Sequence, residues 1–168
     1  RETTSAIHFA MVSALAGECF SHLVERKPEI FVTPEYPTVK DVLENRIELV
    51  QFVKNAGLLH DLGKLGKSNL INLHFRRITD LEFERIKFHV ILGHDIACEI
   101  PKAAPFKDII LGHHKYYDGT MGYPADCLFN DSPYKTYIDL ITICDCVDTS
   151  TDYRGRNYAR RKTFDDIF

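Results

Sequence analysis

The sequence lacks the features that define several classes of protein. It has no charged segment leading into a short apolar core, as a secretion signal would, and no run of about 18 apolar residues that would predict a membrane span. It also has no excess of positive charge, since 21 Lys and Arg stand against 24 Asp and Glu. The resulting net charge of -3 argues against nucleic acid or a membrane surface as a partner.

Cysteine pairs and strand patterns are also missing. The five cysteines include no CxxC pair, which argues against a thiolate zinc site. Their number is odd, and Cys144 and Cys146 are too close for an ordinary disulfide framework. We therefore expect a reducing compartment and a cytoplasmic protein. No internal repeat, low-complexity segment or alternating strand pattern occurs, so the fold should be all-α.

Length and composition predict one domain. With 168 residues, 45% of them hydrophobic, the chain can bury one core but is too short for two. We therefore expect a single domain over residues 1–168. The chain starts at Arg1 in a helical pattern and without a methionine. This favours a fragment of a longer protein whose regulatory or sensor domain is missing.

Apolar periodicity predicts a bundle of about six or seven helices. Thr38 with Asp41 and Thr79 with Glu82 have the spacing of capping boxes, and Ser132-Pro133 is typical of a helix start. The predicted helices cover residues 3–26, 38–59, 79–98, 106–113, a segment from 132 onward and a last one beginning at Thr163. A short β-hairpin near residues 116–129 is the one strand candidate.

The stretch His60-Asp61-Leu62-Gly63-Lys64 carries the strongest chemical pattern. Aspartate can bridge two cations, histidine offers a neutral nitrogen, glycine admits close approach, and the lysine ammonium can meet an anionic substrate. A second pair, His94-Asp95, lies inside an apolar helical pattern without a following glycine and lysine. We use it as the internal control.

Further histidines and aspartates fall at predicted helix ends or on inward faces. Any one of them is explained equally well by a structural role, but the full set is harder to explain that way. Imidazole and carboxylate without thiolate suit iron, manganese or zinc. The candidates are His8, His60, Asp61, His89, His113, His114 and Asp145.

In order along the chain, these pieces resemble the HD superfamily of metal-dependent phosphohydrolases. Within it they are most similar to the HD-GYP branch, which degrades cyclic di-GMP in bacteria. The matching motifs are His60-Asp61-x-Gly63-Lys64, His89-x-x-x-Gly93, His113-His114-x-x-x-Asp118-Gly119-x-x-Gly122-Tyr123-Pro124 and Asp145-x-x-Asp148. Each piece is weak alone, but the ordered set is specific.

The resemblance implies a helical bundle that hydrolyses a cyclic dinucleotide through a metal-bridging hydroxide. Asp61 would bridge two divalent ions, with iron or manganese favoured and zinc, nickel or cobalt as alternatives. One ion would be held by His8, His60 and Asp145, and the other by His89, His113 and His114. Lys64 would act on the scissile phosphate or the hydroxide. The implied substrate contacts are Lys64, Arg154, Arg156 and Tyr158.

Departures from the family pattern leave the substrate open. Thr4 stands where members with a third metal carry glutamate, so two ions are expected. Lys115 stands where glutamate is usual, and the basic segment from Arg154 to Lys162 aligns in two registers. The alternatives are a phosphohydrolase of the same superfamily with another nucleotide substrate, and a non-catalytic domain that binds nucleotide or a protein partner. A homodimer is left open.

Overall fold

The computed structural model describes residues 2–67, 79–127 and 129–151, which form an all-α bundle. The seven α-helices of these residues are α1 (Glu2–Arg26), α2 (Val39–Glu44), α3 (Arg46–Leu59), α4 (Asp80–Lys87), α5 (His89–Glu99), α6 (Lys107–Gly112) and α7 (Lys135–Thr151). Short 3-10 helices cover Pro28–Phe31, Leu62–Lys67 and Ala104–Phe106. The predicted all-α fold and helix number are confirmed.

The core lies around α1, which packs along α3 and α7. One face of α1 carries Val12, Ala16, Phe20 and Val24, all of them buried, at the spacing of an amphipathic helix. Phe20 contacts the ring of Phe31 edge to face with centroids 4.6 Å apart. The position of α1 at the centre of the bundle fixes His8, which lies one turn before Val12, against α3 and α7.

Two predicted helices are each divided in the structure. The helix predicted over 38–59 breaks at Asn45, whose side-chain amide donates to the Asp41 carbonyl at 2.8 Å and ends α2. The helix predicted over 79–98 breaks at Phe88, between α4 and α5. Both capping boxes are formed as predicted. Phe83 is 47% exposed and α4 has no buried residue, so α4 lies on the outside of the bundle.

The hairpin suggested near residues 116–129 is reduced, among the described residues, to one antiparallel bridge between Lys115 and Gly122. Gly119 and Gly122 have positive φ angles of 73° and 87°, which turn the chain back within a few residues. Pro124 follows and has no N–H to extend a ladder. The segment is therefore a tight loop directly after His113 and His114.

Helix α1 also has a bearing on the prediction that nothing spans a membrane. From Ser5 to Arg26 this helix is long and apolar enough to cross a membrane by length and composition. The central helix of a globular core passes the same test, and one such helix is weak evidence. The described part of the chain contains one helix of this kind.

Candidate metal centre

Three histidines of the site are fixed by helix ends. His60 and His113 follow the last residues of α3 and α6, and His89 is the first residue of α5. Each Nδ1 lies 2.7–2.8 Å from the carbonyl oxygen three residues earlier, on Gly57, Ile86 and Ile110. A carbonyl can only accept, so each Nδ1 carries the hydrogen. Each Nε2 atom then carries a free lone pair, which can bind a metal ion.

Asp61 lies at the centre of these rings and is 1% exposed. Its Oδ2 is 3.4 Å from His60 Nε2 and 3.7 Å from His8 Nε2. Its Oδ1 is 3.1 Å from His89 Nε2 and 3.7 Å from His113 Nε2. The two oxygens of one carboxylate therefore lie against two different pairs of histidines.

The donor atoms form two clusters that could each hold a cation. We call His8, His60 and Asp145 the His8 group, and His89, His113 and His114, together with Asp61, the His89 group. Within each group the donor atoms lie within 4.8 Å of one another. All seven residues predicted from the sequence as metal ligands are thus brought together, although they come from five helices and the turns that follow them.

The groups contain buried polar atoms that fit a cation. His60 Nε2 and Asp61 Oδ1 are buried without a hydrogen-bond partner in the described part of the chain. Such atoms are rare in folded proteins, because each costs on the order of 1–3 kcal/mol. An imidazole nitrogen and a carboxylate oxygen are ligands for transition-metal ions. The residues present therefore fit a metal site of nitrogen and oxygen donors.

The charge states also suit metal binding. Burial lowers the pKa of His113 to about 4 and that of His114 to about 2, so both rings are neutral at physiological pH. Burial alone raises the pKa of Asp61, but the Lys64 ammonium and His60 outweigh it and hold that pKa well below its usual value. Neutral imidazoles and an ionised carboxylate are the forms that bind metal.

A second layer of side chains orients the His8 group. Asp148 Oδ2 accepts a hydrogen bond from His8 Nδ1 at 2.6 Å. The hydroxyl of Thr149 donates to Asp145 Oδ1 at 3.0 Å. The sequence analysis included Asp148 in the motif Asp145-x-x-Asp148 but gave it no role. Its spacing from Asp145, one helical turn, was the available indication.

Lys64 and Gly63 lie in the turn that follows Asp61. The Lys64 ammonium donates to Asp61 Oδ2 at 2.5 Å, and its side chain is 34% exposed, so it faces both the carboxylate and solvent. The N–H of Gly63 and its Cα lie against α5 at Gly93. A Cβ built on Gly63 would lie 1.9 Å from the His89 carbonyl oxygen. Gly63 and Gly93 therefore pack closely against each other.

The remaining sequence candidates fall elsewhere. In the control pair, the His94 side chain is 28% exposed and that of Asp95 69% exposed, and Asp95 lies on the surface of α5. Arg154, Arg156 and Tyr158 lie outside the described residues, as does the helix predicted from Thr163. These substrate contacts stay predictions.

Comparison with known proteins agrees with the fold and the clusters. The family model described as the HD domain matches residues 7–150. A cyclic di-GMP phosphodiesterase of Vibrio cholerae is 28% identical over 139 residues, which is 74% of this chain and 28% of that protein. A cyclic di-GMP phosphodiesterase of Thermotoga maritima is 30% identical over 118 residues, covering 69% of this chain and 31% of that protein.

A third relative is named for a different substrate. The 3'3'-cGAMP-specific phosphodiesterase 3 of Vibrio cholerae is 32% identical over 100 residues, covering 58% of this chain and 20% of that protein. The chain thus spans less than a third of the length of each of these relatives. The helical bundle and its buried histidine and aspartate clusters agree with that family model. The chain belongs to the HD domain family, and its relatives support the HD-GYP type within it.

Proposed function

We propose that the domain is a metal-dependent phosphodiesterase that hydrolyses a cyclic dinucleotide, with cyclic di-GMP as the first candidate. One observation carries the proposal: the two oxygens of the Asp61 carboxylate lie against the histidines of two separate groups. A carboxylate placed in this way suits two cations held close together, and two-metal sites are common in phosphodiester hydrolysis.

In this proposal the two groups hold one divalent ion each. His8, His60 and Asp145 would hold the first ion, His89, His113 and His114 would hold the second, and the Asp61 carboxylate, which lies against both groups, would serve both. Two bound cations would lower the pKa of a shared water and neutralise the phosphodiester oxygens. Nitrogen and oxygen donors without thiolate suit iron, manganese or zinc. As the family resemblance implies, iron or manganese is the first candidate, with zinc, nickel or cobalt as alternatives.

The chain's own residues position the reacting groups. The backbone carbonyls behind His60, His89 and His113 hold the rings, so that the Nε2 atoms do not need to reorganise. Lys64 holds Asp61 Oδ2 and remains partly exposed, so its ammonium can also contact the scissile phosphate. Burial keeps bulk water from most of the cluster, which strengthens these electrostatic contacts.

The names of the relatives support a cyclic dinucleotide substrate, and they also favour a second candidate. Since one relative is named as specific for 3'3'-cGAMP, that dinucleotide is the alternative substrate. Another nucleotide substrate and a non-catalytic binding role are the further alternatives, as in the sequence analysis. A cytoplasmic location, a missing regulatory or sensor domain, a homodimer and the absence of nucleic-acid and membrane contacts also stay predictions.

One experiment tests the proposal. The purified protein is loaded with Mn²⁺ or Fe²⁺, its metal content is measured, and it is incubated with cyclic di-GMP, 3'3'-cGAMP and a set of linear nucleotides. We expect two metals per chain and hydrolysis of a cyclic dinucleotide ahead of the linear ones. Binding without turnover in all metal forms would point to a binding domain instead.

Replacing Asp148 by asparagine should weaken metal binding at the His8 group. The carboxylate that fixes His8 Nδ1 at 2.6 Å also makes the ring a stronger donor, and loss of such partners typically lowers metal affinity by roughly 10- to 100-fold. Calorimetric titration should show one weakened site and one unchanged site. The exposed Asp131→Asn variant is the control, and equal behaviour of the two variants would contradict the role of Asp148.

A further inference from the structure

A cavity of about 470 Å³ adjoins the metal centre. His113, His114, Lys115, Tyr116 and Thr142 are among the residues that line it. Thr142 is fixed, since its hydroxyl donates to the His113 carbonyl at 2.8 Å. Because His113 and His114 belong to the His89 group, the cavity borders that group, and it is wide enough for part of a substrate bound there.

Lys115 is a buried cation in the wall of this cavity, only 6% exposed. Its backbone is held by a bridge to Gly122 and by donation of its N–H to the Gly112 carbonyl at 2.8 Å. Its ammonium donates to the Ala125 carbonyl at 3.5 Å, which is at the outer limit of a hydrogen bond. An ammonium has three hydrogens to donate, so this contact leaves it poorly satisfied.

The described residues place no carboxylate in ion-pair contact with the Lys115 ammonium. Among the described residues that line the cavity, the one carboxylate is that of Asp118, which accepts from the N–H and hydroxyl of Thr120 at 3.0 and 2.8 Å within its own turn. A buried charge without a counter-charge is strongly unfavourable. An anionic group in the cavity would supply that counter-charge.

We infer that Lys115 is a specificity-determining residue that binds the phosphate of the substrate that is not hydrolysed. The inference rests on the proposed function, because a cyclic dinucleotide has two phosphates and only one can lie at Asp61. His113, His114 and Lys115 line the same cavity, so a substrate held at the metal centre can extend its second phosphate into it. An ammonium forms charge-assisted hydrogen bonds with phosphate oxygens in such a site.

The test compares two substrates and four proteins. Lys115→Met removes the charge and keeps the length of the side chain, whereas Lys115→Arg keeps the charge. For cyclic di-GMP we expect Lys115→Met to raise KM about 10-fold or more, the effect of one hydrogen bond to a charged group. Bis(p-nitrophenyl) phosphate has one phosphate, so its KM should be unchanged. The unmodified protein and Lys102→Met, an exposed lysine, are the references.

Several outcomes would overturn the role of Lys115. These are an unchanged KM for cyclic di-GMP, an equal rise for both substrates, or loss of bound metal in Lys115→Met. If Lys115→Met does not fold, Lys115→Gln replaces it in the same comparison. If the unmodified protein hydrolyses neither substrate, the proposed function fails instead. Calorimetric binding of cyclic di-GMP to the metal-loaded protein then still tests Lys115.

Discussion

Replacing Asp61 by alanine should abolish hydrolysis of cyclic di-GMP and release metal from both groups. Its Oδ2 lies 3.4 Å from His60 Nε2 and its Oδ1 lies 3.1 Å from His89 Nε2, so the carboxylate contacts both groups with separate oxygens. Activity should fall by more than the roughly 100-fold typical of losing an outer-shell residue. Elemental analysis and a hydrolysis assay on the same preparation measure both effects.

The control for this prediction is Asp95→Ala. Asp95 follows a histidine just as Asp61 does, but its side chain is 69% exposed on α5. Its loss should leave metal content and activity close to those of the unmodified protein. If the two variants were equally damaged, the Asp61 carboxylate would not be the bridging group.

Replacing Gly63 by alanine should destabilise the fold and remove metal from the His89 group. The added Cβ would lie 1.9 Å from the His89 carbonyl oxygen and 2.6 Å from the Gly93 nitrogen. Both are backbone atoms, so the turn at Leu62–Lys67 and α5 must separate. We expect a loss of about 3 kcal/mol in the free energy of unfolding, at the upper end for overpacking. Urea unfolding of the metal-free protein measures it.

Gly17→Ala provides the matched control. A Cβ at Gly17 would approach Lys54 Cε to 2.5 Å, but that atom belongs to a flexible side chain that can move aside. Alanine also has the higher helix propensity, by about 1 kcal/mol. The free energy of unfolding should therefore change by no more than about 1 kcal/mol. A Gly63→Ala protein as stable as Gly17→Ala would show that the close approach of the turn to α5 is not required.

Much of the candidate site could be predicted from the sequence, because its residues are tied to local features. His60 and His113 stand where helical patterns stop, and the last carbonyls of a helix are free to accept from a ring nitrogen. Asp145 stands on an apolar stripe, where a carboxylate needs a partner. These local features explain why one ordered set of motifs located six of the seven clustered residues, whereas His8 was a candidate from its predicted inward helix face.

The parts that sequence reasoning missed depend on contacts between distant segments. The pairing of Asp148 with His8 joins α7 to α1, and no pattern within either helix specifies it. The burial of Lys115 follows from the fold of the loop after His114 rather than from the neighbouring residues.

The break at Asn45 had a local indication, because asparagine side chains compete for backbone carbonyls, but apolar periodicity continued through it.

The central claim is that Asp61 lies between two metal ions, and anomalous X-ray scattering from crystals of the metal-loaded protein tests it most directly. Data collected at the absorption edge of the loaded metal should show two peaks per chain, about 3.5–4 Å apart. One should be surrounded by His8, His60 and Asp145 and the other by His89, His113 and His114, with Asp61 contacting both. A single peak, or two peaks of which one lies away from Asp61, would contradict the account.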